Sequence, residues 1–161
     1  MYKRTLVIIS FLLVTFAINS NAQKIRSFSL KDLDQQMRSF EEIKGEKLTL
    51  IDFWATWCKP CTKSIPELNK IYEAYKDKGV QLIGINGDGP RSVSKVAPVS
   101  KALGISYPVL LDLDQSLMTE LNLSAYPTLL LIDSSNKIVW RHEGYLPGDE
   151  NTIKKELDKR L

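Results

Sequence analysis

Hydrophobic and polar positions along the chain form blocks that predict strands and helices in turn. The most apolar block inside the chain is KLTLIDFWA at 47–55, and such a nearly continuous run is typical of a strand covered on both faces. A helical pattern follows over about 60–77 and ends at Gly79, after which VQLIGIN at 80–86 predicts a second strand. Strands that alternate with helices favour an α/β fold.

Shorter elements complete the pattern on both sides. Before the first run we predict a strand at 28–30, a turn at 31–36 and a short helix at 39–45, with Ser39 and Glu42 spaced as a capping box. The later predicted elements are a loop at 87–92, a helix at 93–103 with Pro98 in its first turn, a strand at 107–112, a helix at 115–123, a hairpin of strands at 128–133 and 137–143, and a helix at 148–161 with Ile153, Leu157 and Leu161 on its apolar side. Together they predict one domain over 23–161, a mixed central sheet flanked by helices.

The first 22 residues do not belong to this pattern. Lys3 and Arg4 precede an apolar run at 6–18, and small residues stand at the positions typical of cleavage before Gln23. A membrane anchor needs about 20 apolar residues, and this run is shorter. We therefore predict a signal peptide over 1–22 and export of the rest of the chain, where disulfides are permitted.

Charge excludes one class of partner. The formal net charge is +3, but the first 22 residues hold two of the 22 Lys and Arg residues and none of the 19 acids, so the rest is nearly neutral. The sequence contains no basic stripe interleaved with aromatic residues. No nucleic-acid partner is expected.

The two cysteines of the chain, Cys58 and Cys61, follow the predicted buried strand and stand at the start of the next helix. One helical turn separates them, which brings their sulfur atoms within reach of a disulfide. The unpaired N–H groups and the dipole of a helix N-terminus favour a thiolate at Cys58, the species that attacks. Lys59 adds a nearby positive charge, and Pro60 fits the first turn, where a missing N–H costs nothing.

Three other roles compete with a catalytic dithiol. A structural disulfide that closes so short a loop would contribute only about 2 kcal/mol. A structural zinc site needs four ligands, and beyond the two cysteines the chain has only His142 as a histidine. Haem attachment needs a histidine where Thr62 stands. The pattern favours a redox dithiol that uses no cofactor and no metal ion.

The residues around the cysteines resemble a known family. LIDFWATWCKPC at 50–61, Pro66 beyond it, and AYPTLLLID at 125–133 resemble the thioredoxin superfamily. The export signal, FSLKDLD at 28–34 and the added stretch ending in YPVLLD resemble its TlpA-like and ResA-like branch, the extracytoplasmic thiol:disulfide oxidoreductases. The resemblance covers 28–161 and implies a thioredoxin fold with an N-terminal extension and a central inserted βα segment.

The resemblance also implies roles. Cys58 matches the exposed attacking cysteine and Cys61 the buried resolving one, so a mixed disulfide would form on Cys58 and be released by Cys61. Trp57 and Tyr126 match the substrate-binding surface, although simple core packing is the other interpretation of Trp57. Pro127 matches the cis-proline that faces the cysteines, whereas Pro108 in YPVLLD is expected to be trans.

Asp52 lies in the middle of the predicted buried strand. Burial of a carboxylate is costly and should raise its pKa towards the range in which it exchanges a proton with a thiol. By resemblance it matches the buried acid of thioredoxin that assists the resolving cysteine; the other interpretation is an Asp that faces solvent or is satisfied by hydrogen bonds. TlpA-like proteins often carry Asn here, and ResA-like proteins carry an acid where this chain has Ser64.

These observations predict an exported thiol:disulfide oxidoreductase that acts as a protein disulfide reductase in the periplasm or another extracytoplasmic compartment. The expected partners are disulfide-containing exported proteins and an upstream membrane thiol donor, and the protein is expected to be a monomer. The alternatives are a redox-inert binding module of the same fold, or a disulfide oxidant or isomerase.

Overall fold

A computed structural model describes residues 23–161, and the predicted signal peptide at 1–22 lies outside the described residues. The strands are β1 (Ser29–Asp32), β2 (Met37–Ser39), β3 (Leu48–Trp54), β4 (Val80–Asn86), β5 (Val109–Leu111), β6 (Thr128–Asp133) and β7 (Ile138–Glu143). The helices are α1 (Phe40–Ile43), α2 (Lys59–Tyr75), α3 (Val96–Ala102), α4 (Ser116–Glu120) and α5 (Asp149–Asp158), with 3₁₀ turns at Lys76–Lys78 and Val93–Lys95.

The seven strands form one mixed sheet in the order β2-β1-β5-β4-β3-β6-β7. At its centre β3 runs parallel to β4 and antiparallel to β6, and all seven β3 residues are buried, as their continuous apolar run predicted. The inserted segment places β5 between β4 and β1. Strand β5 runs parallel to β4 and antiparallel to β1. The predicted mixed sheet with an inserted βα segment is confirmed.

Successive residues of β3 point to opposite faces of the sheet, and each face has its own layer of helices. Ile51 and Phe53 pack with the residues of α1 and α4, whereas Leu50 packs with α2 and α5. Trp54 packs with the first turns of α2 and with α3. Because Asp52 alternates in step with Leu50 and Trp54, it lies on the face covered by α2.

Two details differ from the prediction. Strand β2 was not predicted, because its residues are largely exposed on the edge of the sheet and show no apolar alternation. Leu161 does not belong to the apolar side of the last helix: α5 ends at Asp158, and Leu161 is 40% exposed. Ile153 and Leu157 are buried as predicted.

Residues 23–25 lie beside the start of β7. Lys24 is paired with Lys137, the Ile25 N–H donates to the Asn136 carbonyl at 2.9 Å, and the Ile138 N–H donates to the Gln23 carbonyl at 2.9 Å. The same end of the sheet contains Asp133, the last residue of β6. Asp133 pairs with the first residue of β3. The first described residues are therefore held at the end of the sheet opposite the cysteines, which follow the last residue of β3.

Candidate active site

The two cysteines are joined by a disulfide at the start of α2, with their Cα atoms 5.3 Å apart. Cys58 is the N-cap of the helix, and the backbone N–H of Cys61 donates to Cys58 Sγ at 3.2 Å. After reduction, this N–H and the helix dipole would stabilise negative charge on Cys58 Sγ. Lys59 is exposed at the first position of α2, and Pro60 is half-buried at the second.

The two sulfur-bearing residues differ in access to solvent. Cys61 is completely buried, whereas Cys58 is 4% exposed. Cys58 is thus the more exposed of the two, which agrees with the predicted roles. Its exposed fraction is nevertheless small, because Cys58 packs in a cluster with Trp54, Ala55 and Val96. Of the pair, only Cys58 offers surface to a substrate.

A buried carboxylate holds the turn that leads from β3 to Cys58. Asp88 is completely buried and accepts hydrogen bonds from the Thr56 N–H at 2.7 Å and from the Thr56 hydroxyl at 2.7 Å. It also accepts from the Asn86 side chain at 2.8 Å. These charge-assisted bonds fix the backbone two residues before the cysteine.

The Tyr126–Pro127 peptide bond is cis, as the resemblance implied, and it is the one cis bond within residues 23–161. The Pro127 carbonyl accepts a hydrogen bond from the Gly144 N–H at 2.8 Å. Trp57 is 65% exposed, and its ring meets the Tyr126 ring edge-on with the centroids 5.5 Å apart. Trp57 is therefore a surface residue beside the disulfide, and its interpretation as a core residue is wrong.

The hydroxyl of Tyr126 points into the protein. It is buried, it has no hydrogen-bond partner, and a Cβ atom added to Gly87 would lie 1.8 Å from it, so only glycine fits there. Burial and the negative charges of Asp112 and Asp88 raise the pKa of Tyr126 to about 12. Any contact between Tyr126 and a substrate must therefore use its ring and not its hydroxyl.

Asp52 is completely buried, and neither of its carboxyl oxygens has a hydrogen-bond partner. It is two residues from Trp54, whose ring packs with Cys61 in one cluster. Burial raises the pKa of Asp52 from 3.8 to about 7. The predicted burial of Asp52 is confirmed, and the interpretation of Asp52 as an exposed residue is wrong.

Two residues at this site were missed in the sequence. Asp88 lies in GINGDGP, for which the sequence predicts only a loop, although the stretch follows a strand that lies beside β3. Tyr107 lies in YPVLLD, for which the sequence predicts only a strand with a trans proline, and its hydroxyl faces Asp52. A polar group next to a predicted buried strand was the available signal in both cases.

Comparison with known proteins settles the family. A model of the AhpC/TSA family matches residues 22–141. The chain belongs to the AhpC/TSA family. This AhpC/TSA chain is 31% identical over 137 residues to the thioredoxin-like protein YneN of Bacillus subtilis (strain 168), a match that covers 84% of the chain and 79% of the relative.

A second relative of this AhpC/TSA chain is the thiol-disulfide oxidoreductase ResA of Bacillus thuringiensis (strain Al Hakam), 34% identical over 113 residues. The match covers 70% of the chain and 64% of that protein, so the chain spans less than two thirds of its length. A proposed thiol:disulfide interchange protein DsbE from Chlorobium tepidum superposes with a TM-score of 0.79 at 24% identity, covering 86% of this chain and 96% of that one. The predicted thioredoxin fold is confirmed, and the name of the second relative states the activity class that the sequence predicts, thiol:disulfide oxidoreductase.

Proposed function

We propose that this thiol:disulfide oxidoreductase reduces disulfides of exported proteins. One observation carries the proposal: Cys58 alone of the pair has exposed surface, and its sulfur accepts the N–H of Cys61 at the start of α2. That arrangement favours a thiolate at the position a substrate can reach and protects its partner from solvent.

The reaction has two sulfur exchanges. The Cys58 thiolate attacks a substrate disulfide, so that a bond forms between Cys58 Sγ and one substrate sulfur while the other leaves as a thiolate and takes up a proton. Cys61 then loses its proton and attacks Cys58 Sγ, which forms the Cys58–Cys61 disulfide and releases the second substrate thiol. Two electrons pass from the protein to the substrate.

Asp52 is proposed as the base for the second exchange. Its pKa of about 7 matches the operating range of a proton acceptor near neutral pH, and it lies on the β3 face covered by α2. Once Cys61 has given up its proton, Asp52 can return that proton to the leaving substrate sulfur or to water.

Trp57, the Tyr126 ring and Pro127 are proposed as the substrate-binding surface. The indole of Trp57, next to Cys58 in the chain, is 65% exposed and supplies an apolar surface against which a substrate side chain can pack. A substrate segment with an apolar residue next to its disulfide would cover this ring, and its reactive sulfur would then meet Cys58.

The protein is proposed to act in the periplasm or another extracytoplasmic compartment as a monomer. The charge and hydropathy pattern of residues 1–22 supports export. Within 23–161, none of the helices has the length and apolar character needed to cross a bilayer. Each turnover leaves the cysteines oxidised, so a thiol donor must supply two electrons to continue the cycle, and an upstream membrane thiol donor is proposed for this step.

The reduction potential tests the proposed direction. Equilibration of the protein with thiol buffers should give a value nearer that of thioredoxin, about −270 mV, than that of DsbA, about −120 mV. A value above roughly −180 mV would assign the protein to the oxidants. Failure to reduce insulin disulfides with any thiol donor would favour the redox-inert alternative.

A further inference from the structure

Three buried polar groups without hydrogen-bond partners surround one point of the sheet. They are the carboxyl group of Asp52, the indole N–H of Trp54 and the hydroxyl of Tyr107. Asp52 and Trp54 are completely buried and Tyr107 is 4% exposed. Buried polar groups in native proteins are almost always hydrogen-bonded, so two donors that share a buried region with one unpaired carboxyl group require an explanation.

Gly84 makes this arrangement sterically possible. It pairs with Asp52 across the parallel β3–β4 ladder. A Cβ atom at Gly84 would lie 3.2 Å from Trp54 Nε1 and 3.2 Å from Tyr107 Cε2, so both ring edges occupy the space that a side chain would fill. The Gly84 N–H also donates to the Pro108 carbonyl at 2.8 Å, which fixes the segment that carries Tyr107 over this position.

Tyr107 and Asp52 each shift the pKa of the other. Burial, together with the negative charge of Asp52, raises the pKa of Tyr107 well above its ordinary value. In the other direction, a hydrogen bond from the Tyr107 hydroxyl would lower the pKa of Asp52 against the larger effect of burial. The two groups thus face each other closely, although no polar atom of either completes a hydrogen bond of normal geometry.

Within residues 23–161, Tyr107 is the titratable side chain that acts on the carboxyl group of Asp52. The neighbours of Asp52 in the ladder are Gly84 on β4 and Leu129 on β6, and Tyr107 is the one described side chain that shifts its pKa. On the α2 side, Cys61 becomes titratable only after the disulfide is reduced.

We propose that Tyr107 is a positioning residue for Asp52: its hydroxyl donates a hydrogen bond to the ionised carboxylate and so sets the pH range in which the acid can accept the Cys61 proton. When Asp52 is protonated, the pair carries no buried charge. When Asp52 ionises, Tyr107 is the donor that keeps a buried charge from being unpaired. The kinetic part of this inference rests on the proposed role of Asp52; the electrostatic part does not.

The test is the variant Tyr107→Phe, which keeps the ring over Gly84 and removes only the hydroxyl. Loss of a hydrogen bond to a charged group should raise the titration midpoint of Asp52 by about one pH unit. Carboxyl-carbon NMR of the oxidised protein measures that midpoint without any turnover. Tyr72→Phe is the matched control, because the Tyr72 ring meets the Tyr107 ring edge-on with the centroids 6.0 Å apart. Removal of the Tyr72 hydroxyl should leave the titration midpoint of Asp52 unchanged.

Kinetics supply the second readout. When the reduced protein reacts with dithiobis-nitrobenzoate, the first thionitrobenzoate reports attack by Cys58 and the second reports release by Cys61. Tyr107→Phe should shift the pH profile of the second phase upward with the first unchanged, and the shift should vanish in the Asp52→Asn background. If the NMR midpoint shifts but the kinetic profile does not, the proposed role of Asp52 as the base is refuted, whereas the hydrogen bond between Tyr107 and Asp52 is supported.

An unshifted Asp52 midpoint in folded Tyr107→Phe would overturn the inference. If that variant does not fold, Gly84→Ala replaces it, because the added methyl group displaces the Tyr107 ring edge and leaves the hydroxyl in the chain. We expect a smaller upward shift in the same direction, and an unchanged midpoint there would also overturn the inference.

Discussion

Replacement of Asp52 by Asn separates a catalytic acid from a structural one. The carboxyl group is completely buried, and its pKa in the folded protein is about 7, against 3.8 for an ordinary aspartate. Between roughly pH 4 and pH 7 the folded state therefore holds a proton that the unfolded state has released. Since the folded state binds more protons in this window, stability falls as pH rises through it.

The size of the effect follows from the two pKa values. At about 1.4 kcal/mol for each pKa unit, ionisation of buried Asp52 costs the folded protein roughly 4 kcal/mol above pH 7. Asp52→Asn removes this cost and should stabilise the protein by up to that amount at pH 8. At pH 4 the wild-type carboxyl is protonated in the folded state, so the amide should change stability little. The buried amide has its own desolvation cost, but that cost is the same at both pH values.

Urea unfolding of the oxidised wild type and of Asp52→Asn at both pH values gives the stabilities, and insulin reduction gives the turnover. We expect a stabilised variant at pH 8 that releases its mixed disulfide more slowly near neutral pH, because an amide cannot accept a proton. The reasoning is refuted if the variant is less stable at pH 8 than the wild type, or if the stability difference does not depend on pH.

Two further predictions concern the cysteines and the turn before them. Cys58→Ser should abolish insulin reduction, and Cys61→Ser should trap mixed disulfides that can be isolated on a non-reducing gel; an active Cys58→Ser protein without such adducts on Cys61→Ser would reverse the assigned roles. Asp88→Asn should destabilise the oxidised protein by about 1–3 kcal/mol, because the amide cannot accept both hydrogen bonds from Thr56, and an unchanged urea midpoint would contradict this account.

Most of the fold was predictable because its elements carry strong local patterns. The buried strand β3 and the helix after it follow from a continuous apolar run and a proline-compatible first turn. Strand β2 could not be found in this way, since it is short, exposed and stabilised by its pairing with β1. The cis bond before Pro127 came from family resemblance, because no local pattern distinguishes it from an ordinary proline.

The active site was predictable only where its residues are contiguous. Cys58, Cys61 and Asp52 lie within ten positions on one strand and helix, so their spacing could be interpreted directly. Tyr107 and Asp88 reach the same region from separate segments. The role of Asp88 depends on the placement of β4 beside β3. The role of Tyr107 depends on the placement of β5 beside β4 and on the absence of a side chain at Gly84, and local periodicity shows none of these.

Because residues 23–25 are paired with the start of β7, they lie at the end of the domain opposite the active site. A strand of six residues spans roughly 20 Å, so a bead or carrier attached at residue 23 is held that far from Pro127. A protein immobilised through residue 23 would present Trp57 and the disulfide outward, and large folded substrates could approach without meeting the support.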